Sequence, residues 1–160
     1  MLFRSRNGDV MAMASAPGFN PNLFVRGIST ADWVALRENE FRPLSNKSVS
    51  GAYPPGSTFK MVVALAAREA DVIKPNETFF CPGYYELGGR RFHCWKRGGH
   101  GKIDMVNSLK QSCDVYYYEV SKRVGIEAIA AKARQLGLGE KYDIPLPAIS
   151  SGLVPNKAYK

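Results

Sequence analysis

A helix without a polar face constrains the fold of this chain more than any other sequence feature. Residues 61–67 read Met-Val-Val-Ala-Leu-Ala-Ala, so about two helical turns are apolar on every side. The pattern ends before Pro75, which disfavours helix at Lys74. A helix that is apolar all round is buried. The sequence therefore predicts a buried helix at this position.

Composition is consistent with one hydrophobic core. The chain has 160 residues, of which 45% are hydrophobic and 11% aromatic, and this excludes a disordered chain. No apolar run approaches the ~18 residues that a membrane-spanning helix needs. The formal charge of +8 is compatible with nucleic acid, an anionic membrane or an acidic polymer as partner, and by itself selects none of them.

Further elements follow from turn signals and from apolar periodicity. Asn7-Gly8 predicts a turn before a strand at 10–15, and Ser29 can cap a short helix. Apolar side chains at helical spacing predict further helices at 106–111, 115–124 and 126–136, with a break at 112–114. Residues 77–102 show little periodicity, so this segment needs an additional tether.

Ser57 and Lys60 lie three residues apart at the start of the apolar helix, so their side chains share one face. A serine hydroxyl becomes a strong nucleophile when a nearby base accepts its proton. A lysine acts as that base when burial or nearby positive charge favours its neutral form. The apolar helix is expected to desolvate Lys60, and its N-terminal amides would favour an oxyanion beside Ser57.

The simpler interpretation is that Ser57 caps a helix and Lys60 is a surface lysine. A surface lysine, however, belongs on a polar face, and this helix has none. The S-x-x-K pattern occurs in penicillin-binding proteins and class A β-lactamases together with S-x-[DN] and K-[ST]-G. Ser112-Cys113-Asp114 has the form S-x-D, whereas no K-[ST]-G is present.

Four stretches together resemble the class B penicillin-binding proteins, the monofunctional D,D-transpeptidases of the rod-shape elongation machinery. They are Tyr-Pro-Pro-Gly-Ser-Thr-Phe-Lys at 53–60, Arg-Asn-Gly-Asp-Val-Met-Ala-Met-Ala-Ser at 6–15, Trp-Lys-Arg-Gly-Gly-His-Gly at 95–101, and Ser-Cys-Asp-Val-Tyr-Tyr-Tyr at 112–118. The resemblance implies an α/β fold of the α+β type, with an antiparallel sheet and a helical subdomain, as in the serine β-lactamases. Residues 1–160 would be the N-terminal part of a transpeptidase domain. The membrane anchor, the pedestal domain and the later strands with K-[ST]-G would be absent.

The resemblance also implies roles for four residues. Ser57 would be the acylated nucleophile and Lys60 its proton acceptor. Ser112 would relay a proton toward the leaving D-Ala nitrogen. Asp114, where many relatives carry Asn, would help to hold Lys60 and the substrate amide, and whether its carboxylate is charged stays open.

The three cysteines cannot all pair within one chain. With His100 they form the series Cys81, Cys94, His100 and Cys113, a donor set of the kind that binds structural zinc. A disulfide between two of them and buried free thiols remain alternatives on spacing alone. The resemblance favours one structural zinc per chain on these four residues. His93 is a weaker candidate, because adjacent residues in an extended stretch point to opposite sides.

Two functional classes are therefore compared. The leading one is a penicillin-binding D,D-transpeptidase with peptidoglycan stem peptides and β-lactams as ligands and elongation-machinery proteins as partners, with no role for nucleic acid. Its full-length parent would lie at the periplasmic face of the inner membrane, and the 160 residues alone would be weakly acylated or not at all. The alternative is a zinc-stabilised basic module that binds nucleic acid through Arg90, Arg91, Trp95, Lys96 and Arg97.

Overall fold

The computed structural model describes residues 1–159, which divide into two compact units. The first unit comprises residues 1–53 and 141–151, and the second comprises residues 54–140 and 152–159. Among residues 1–159, no helix combines the length and the apolar character that a membrane crossing requires.

The first unit contains the predicted hairpin and the predicted short helix. Strands β1 (Leu2–Phe3) and β2 (Val10–Ala12) pair antiparallel, and β2 is shorter than the strand predicted at 10–15. Helix α1 (Thr30–Arg37) begins after Ser29, whose hydroxyl oxygen accepts a hydrogen bond from the Asp32 amide at 3.1 Å. A single turn, α2 (Lys47–Ser50), follows it.

The second unit begins with a 3₁₀ turn, Gly56–Phe59, which continues directly into α3 (Lys60–Glu69). Four short strands follow and then three helices: β3 (Phe79–Cys81), β4 (Tyr84–Leu87), β5 (Arg90–His93), β6 (Gly101–Ile103), α4 (Met105–Lys110), α5 (Asp114–Val124) and α6 (Ile126–Gln135). A 3₁₀ turn, Lys157–Tyr159, lies near the end of the described chain.

The strands are antiparallel, as predicted, but they do not form one sheet. In residues 1–159 they form three two-stranded sheets, β1 with β2, β3 with β6, and β4 with β5. The prediction of a mixed α+β chain with a helical part is confirmed. The β3–β6 pair joins the two ends of the segment that lacked periodicity, with Cys81 opposite Gly101.

Helix α3 is the centre of the second unit and packs against α5 and α6. Its inner face buries Val63 and Ala67, and Val120 of α5 is 0% exposed. The expectation that α3 is buried on every side is wrong for one face, because Met61 and Leu65 are 56% and 49% exposed. These two residues are four apart and share a face, and α5 and α6 pack against the other side of the helix.

Candidate active site and metal centre

Ser57 and Lys60 are positioned by the 3₁₀ turn that precedes α3. The Lys60 amide donates to the Ser57 carbonyl, and Gly56 has a φ of +58°, a conformation that glycine adopts without strain. The Thr58 hydroxyl donates to the Pro55 carbonyl at 2.6 Å and closes the same turn. Ser57 is exposed, whereas the Lys60 side chain is only 12% exposed.

The predicted helix break at 112–114 is present between α4 and α5. Ser112 has a φ of +51°, the left-handed region that a residue with a side chain rarely adopts. The Ser112 amide donates to the Leu109 carbonyl at 3.2 Å, and the Cys113 amide donates to the Ser108 carbonyl at 2.9 Å. Ser112 therefore lies in the turn before α5, whereas Asp114 is the first residue of α5.

All four residues predicted to be catalytic meet in one hydrogen-bonded network. The Lys60 ammonium donates to Asp114 Oδ1 at 2.6 Å, to the Ser112 carbonyl at 2.8 Å and to Ser112 Oγ at 3.0 Å. The Ser112 hydroxyl in turn donates to Ser57 Oγ at 2.8 Å. The expected contact between Ser57 and Lys60 is thus replaced by a path through Ser112, because the long lysine side chain reaches across to the carboxylate of Asp114.

Asp114 carries a charge in this arrangement. Its partial burial raises the pKa, but the hydrogen bonds from Lys60 and from the Trp95 amide, with the charge of Lys60, outweigh burial and lower the pKa below its usual 3.8. The carboxylate is therefore ionised at neutral pH and forms an ion pair with Lys60. The Trp95 amide donates to Asp114 Oδ2 at 2.9 Å, a contact that the sequence did not predict.

The second cluster consists of the four residues predicted to bind zinc, Cys81, Cys94, His100 and Cys113. Their donor atoms all lie within 4.8 Å of one another, and His100 Nδ1 is 3.6 Å from the sulfur atoms of Cys81 and Cys94. The three cysteines are free thiols, each no more than 1% exposed. A tetrahedral zinc with bonds of about 2.0–2.3 Å needs donor atoms about 3.5 Å apart, so this set fits zinc.

The charge states of the donor side chains would change on binding a metal ion. Burial raises the pKa of the Cys113 thiol to about 12, so a protein environment without a cation keeps it protonated. Burial, and then the charge of Lys96, lowers the pKa of His100, which leaves its imidazole neutral and able to coordinate. A divalent cation reverses the preference of the thiol and favours the thiolate.

Two glycines that no sequence pattern marked, Gly83 and Gly99, lie where the loops of the donor residues approach each other closely. A Cβ on Gly83 would lie 2.1 Å from the Arg97 carbonyl oxygen, and one on Gly99 would lie 2.1 Å from the Cys81 carbonyl oxygen. Both glycines have positive φ values, +98° and +75°. Any other residue would separate the two loops and so move Cys81 away from His100. The only sequence signal was the density of glycine in this segment.

His93 and the basic residues lie outside both clusters. His93 is exposed on β5 opposite Tyr84, as expected for a residue that is not a ligand. The guanidinium of Arg91 pairs with Glu86 at 3.1 Å and lies 4.5 Å from the ring centre of Tyr84. That of Arg90 lies 6.0 Å from the ring centre of Phe92. Part of the basic surface is thus engaged within the hairpin.

Comparison with known proteins places the chain in a family. Residues 1–160 match the family described as penicillin binding protein transpeptidase domain. The chain belongs to this family. The expected resemblance to class B penicillin-binding proteins of the elongation machinery is confirmed by the relatives below.

The chain is 40% identical over 157 residues to the peptidoglycan D,D-transpeptidase MrdA of Acinetobacter baumannii, covering 97% of this chain and 23% of that protein. Penicillin-binding protein 2 of Pseudomonas aeruginosa, solved in complex with WCK 5153, matches with a TM-score of 0.86 and 37% identity, over 98% of this chain and 36% of that one. Penicillin-binding protein 2 of Helicobacter pylori, solved in complex with MreC, matches with a TM-score of 0.84 and 36% identity, over 91% and 28%.

The chain therefore spans about a quarter of the length of the curated relatives that it matches. These relatives and structures give no support to the alternative of a nucleic-acid-binding module. They match the leading prediction, a transpeptidase-family chain with a mixed helical and stranded fold.

Proposed function

We propose that this chain carries the nucleophile of a peptidoglycan D,D-transpeptidase that crosslinks the cell wall during elongation. The observation that carries the proposal is the hydrogen-bonded path from Ser57 Oγ through Ser112 to Lys60 and Asp114. It occurs in a chain that is 40% identical to a D,D-transpeptidase. The reaction is of the serine acyl-enzyme type, which needs such a nucleophile and base within hydrogen-bond reach.

In the first half of the reaction, Ser57 Oγ attacks the carbonyl carbon of the penultimate D-Ala of a stem peptide. In the structure Lys60 is an ammonium ion that donates to Ser112, so it must first release a proton to water. The two hydrogen bonds then reverse direction, and the proton of Ser57 passes through the hydroxyl of Ser112 to the amine of Lys60. Asp114 stabilises the ammonium ion that results, at the 2.6 Å contact. The bond to the terminal D-Ala then breaks, and Ser112 passes the proton to the leaving nitrogen.

In the second half, an amine of a neighbouring stem peptide attacks the ester carbonyl on Ser57. The attacking amine gives up one proton to Lys60 through Ser112, and the ester C–O bond breaks as the new amide bond, the crosslink, forms. Ser57 then takes that proton by the same path in reverse. A β-lactam ring would acylate the same oxygen, since its carbonyl occupies the position of the D-Ala carbonyl. These steps make stem peptides and β-lactams the ligands of the site.

The partners and the location follow from the relatives. Penicillin-binding protein 2 of Helicobacter pylori was solved in complex with MreC, and a further match of 33% identity belongs to a peptidoglycan synthase complex. We infer that the protein acts with membrane proteins of the elongation machinery at the periplasmic face of the inner membrane. No observation favours nucleic acid as a ligand.

One structural zinc is proposed for the cluster of Cys81, Cys94, His100 and Cys113. Four donors leave no open position, so this zinc would hold the fold and supply no catalytic chemistry. Cys113 lies between Ser112 and Asp114 in sequence, and its buried side chain points into the ligand cluster. The metal would therefore fix the turn that presents both of these residues to Lys60.

The acylation proposal is tested with a labelled penicillin on the natural protein that contains this chain. We expect covalent labelling that is abolished by Ser57→Ala and lowered by Lys60→Ala to a trace. The control is Ser5→Ala, which removes a hydroxyl in the exposed turn of the β1–β2 hairpin and should label normally. Labelling that persists in Ser57→Ala would contradict the assignment of the nucleophile.

Metal analysis of the purified protein tests the zinc proposal. We expect near one zinc per chain, lost in Cys113→Ala. The matched control is His93→Ala, which removes the exposed histidine next to Cys94 and should leave the metal content unchanged. A metal-free protein with an internal disulfide would show that the cluster is not a zinc site.

A further inference from the structure

Trp95 makes two hydrogen bonds to the loop that carries Ser112 and Asp114. Its backbone amide donates to Asp114 Oδ2 and its indole Nε1–H donates to the Gln111 carbonyl, both at 2.9 Å. The residue is nevertheless 63% exposed, so apolar burial does not account for its position. The hydrogen bonds from its backbone amide and its indole N–H, rather than hydrophobic contacts, therefore fix the position of Trp95.

The two acceptors flank the turn at 112–114. Gln111 lies immediately before the turn and Asp114 is its last residue. Ser112, between them, has the unfavourable φ of +51°, so this conformation must be held by its surroundings. A residue that binds both ends of the turn limits the alternatives that Ser112 can adopt.

The same contacts orient the carboxylate. Oδ2 of Asp114 accepts from the Trp95 amide, which leaves Oδ1 to accept from Lys60. If Trp95 moved, the carboxylate could rotate and Lys60 would lose its shortest hydrogen bond. The indole contact to Gln111 holds the backbone of Trp95 within reach of Asp114.

Trp95 is also anchored on its other side. It follows Cys94 in sequence, and its ring packs edge-on against His100 with ring centres 5.5 Å apart. The residue thus joins the ligand cluster to the loop of the catalytic network. A rotation of the indole would disturb contacts on both sides.

We propose that Trp95 is a positioning residue for the acylation of Ser57. Its indole N–H holds the 111–114 loop so that the Ser112 hydroxyl and the Asp114 carboxylate keep their places beside Lys60. This inference rests on the proposed transpeptidase function. It assigns to Trp95 a role in the rate of the chemical step and none in binding the ligand.

The test is Trp95→Phe in the natural protein that contains this chain, which keeps an aromatic ring and removes the N–H donor. Acylation by a labelled penicillin is followed over a range of concentrations, so that the saturating rate and the apparent dissociation constant are separated. We expect the saturating rate to fall about three- to tenfold, the effect of losing one hydrogen bond of ordinary strength. The dissociation constant should change less than about twofold, because binding is untouched.

The chain offers a matched control in its other tryptophan. Trp33→Phe makes the same chemical change in α1 and should leave the rate unchanged. A Trp95→Phe rate equal to that of Trp33→Phe would overturn the inference. So would a change confined to the dissociation constant, or a lower rate that accompanies loss of zinc or of melting temperature.

A double-mutant cycle with Asp114→Asn supplies the second measurement. If Trp95 acts through the loop, the changes in activation free energy caused by the two substitutions are not additive in the double variant. If the two substitutions act independently, these changes add, and that result would contradict the proposal. Absence of acylation in the unmodified protein would instead overturn the proposed function, and this inference with it. If only the positioning role is wrong, the unmodified protein is acylated, and Trp95→Phe and Trp33→Phe are acylated at the same rate as the unmodified protein.

Discussion

The helices and the strand segment of the second unit are stabilised in different ways. Helices α3, α5 and α6 bury aliphatic and aromatic side chains against one another. The segment at 79–103 buries only the side chains of Cys81, Cys94 and Ile103. The first region is thus an ordinary apolar core, whereas the second adds only a few side chains to that core, most of them from the proposed zinc cluster. The catalytic network draws Ser57 and Lys60 from the first and receives the Trp95 amide from the second.

Metal removal should separate the two regions most strongly. Chelation of the proposed zinc should destabilise residues 79–103 by on the order of 5 kcal/mol or more, since zinc supplies about 10 kcal/mol to small zinc modules. Hydrogen exchange measures this, with faster exchange at 79–103 and little change in α3 and α6. In the Cys113→Ser variant, the amide hydrogens of residues 79–103 should exchange rapidly with or without chelator. Equal acceleration in both regions would show that they are not stabilised separately.

A cavity in the helical core should cause the next largest loss in the free energy of unfolding. Ile129 of α6 is 7% exposed, and Ile129→Ala should lower the free energy of unfolding by about 2–4 kcal/mol. Denaturant unfolding measures the loss. Zinc content should stay near that of the unmodified protein. A variant that loses metal together with stability would mean that the ligand cluster depends on the helical core.

Breaking the ion pair between the first residues of α3 and α5 should cost less. Lys60→Met leaves the partly buried carboxylate of Asp114 without its cation and should destabilise by about 1–3 kcal/mol. Because the pKa of Asp114 is lowered in the folded state, its contribution is present above the unfolded pKa near 3.8 and disappears as pH falls through the folded value. Thermal unfolding across this acidic range should show a smaller loss for Lys60→Met than for the unmodified protein. The double variant Lys60→Met/Asp114→Asn should recover part of the stability.

The smallest effect is expected at a buried hydroxyl. Tyr116 is 0% exposed, and its hydroxyl has no hydrogen-bond partner within residues 1–159. Tyr116→Phe should therefore change stability by less than about 1 kcal/mol at neutral pH. The control is Tyr117→Phe, which should cost about 0.5–1.5 kcal/mol because the Tyr117 oxygen accepts from the Ser108 hydroxyl.

The same tyrosine gives a pH test. Burial raises the pKa of Tyr116 to about 12, whereas the unfolded value is about 10. The folded state is thus favoured below pH ~10 and loses this advantage as pH rises toward 12, because the unfolded chain ionises first. Tyr116→Phe should lose less stability than the unmodified protein over that range in urea unfolding. An identical loss would show that Tyr116 does not contribute to alkaline unfolding.

Sequence patterns predicted the elements that depend on local chemistry. Ser29 was recognised as a helix cap, the Asn7-Gly8 turn as a hairpin, and 112–114 as a helix break, because each depends on neighbours within a few residues. The four residues of the candidate catalytic network were also predicted, because the S-x-x-K and S-x-D patterns lie in longer stretches that resemble the class B penicillin-binding proteins. Burial on every side of α3 was not confirmed, since periodicity does not reveal how many partners a helix has.

The remaining features depend on contacts between distant parts of the chain. The path from Ser57 to Lys60 runs through Ser112, more than fifty residues away, and spacing does not determine such a contact. The close approach of the loops at Gly83 and Gly99 depends on backbone conformations that many glycines share. The Trp95 amide bond to Asp114 involves a main-chain group, which no sequence pattern marks.

The order Ser112-Cys113-Asp114 restricts how this site can vary under selection by an inhibitor. Successive side chains of one turn serve two clusters, so a change that shifts the backbone to favour one cluster displaces the other. The three positions are therefore expected to tolerate few substitutions in a collection of resistant variants. Altered sensitivity should arise instead at exposed positions outside the turns that carry Ser57 and Ser112, where a new side chain can change access to Ser57 without moving either turn.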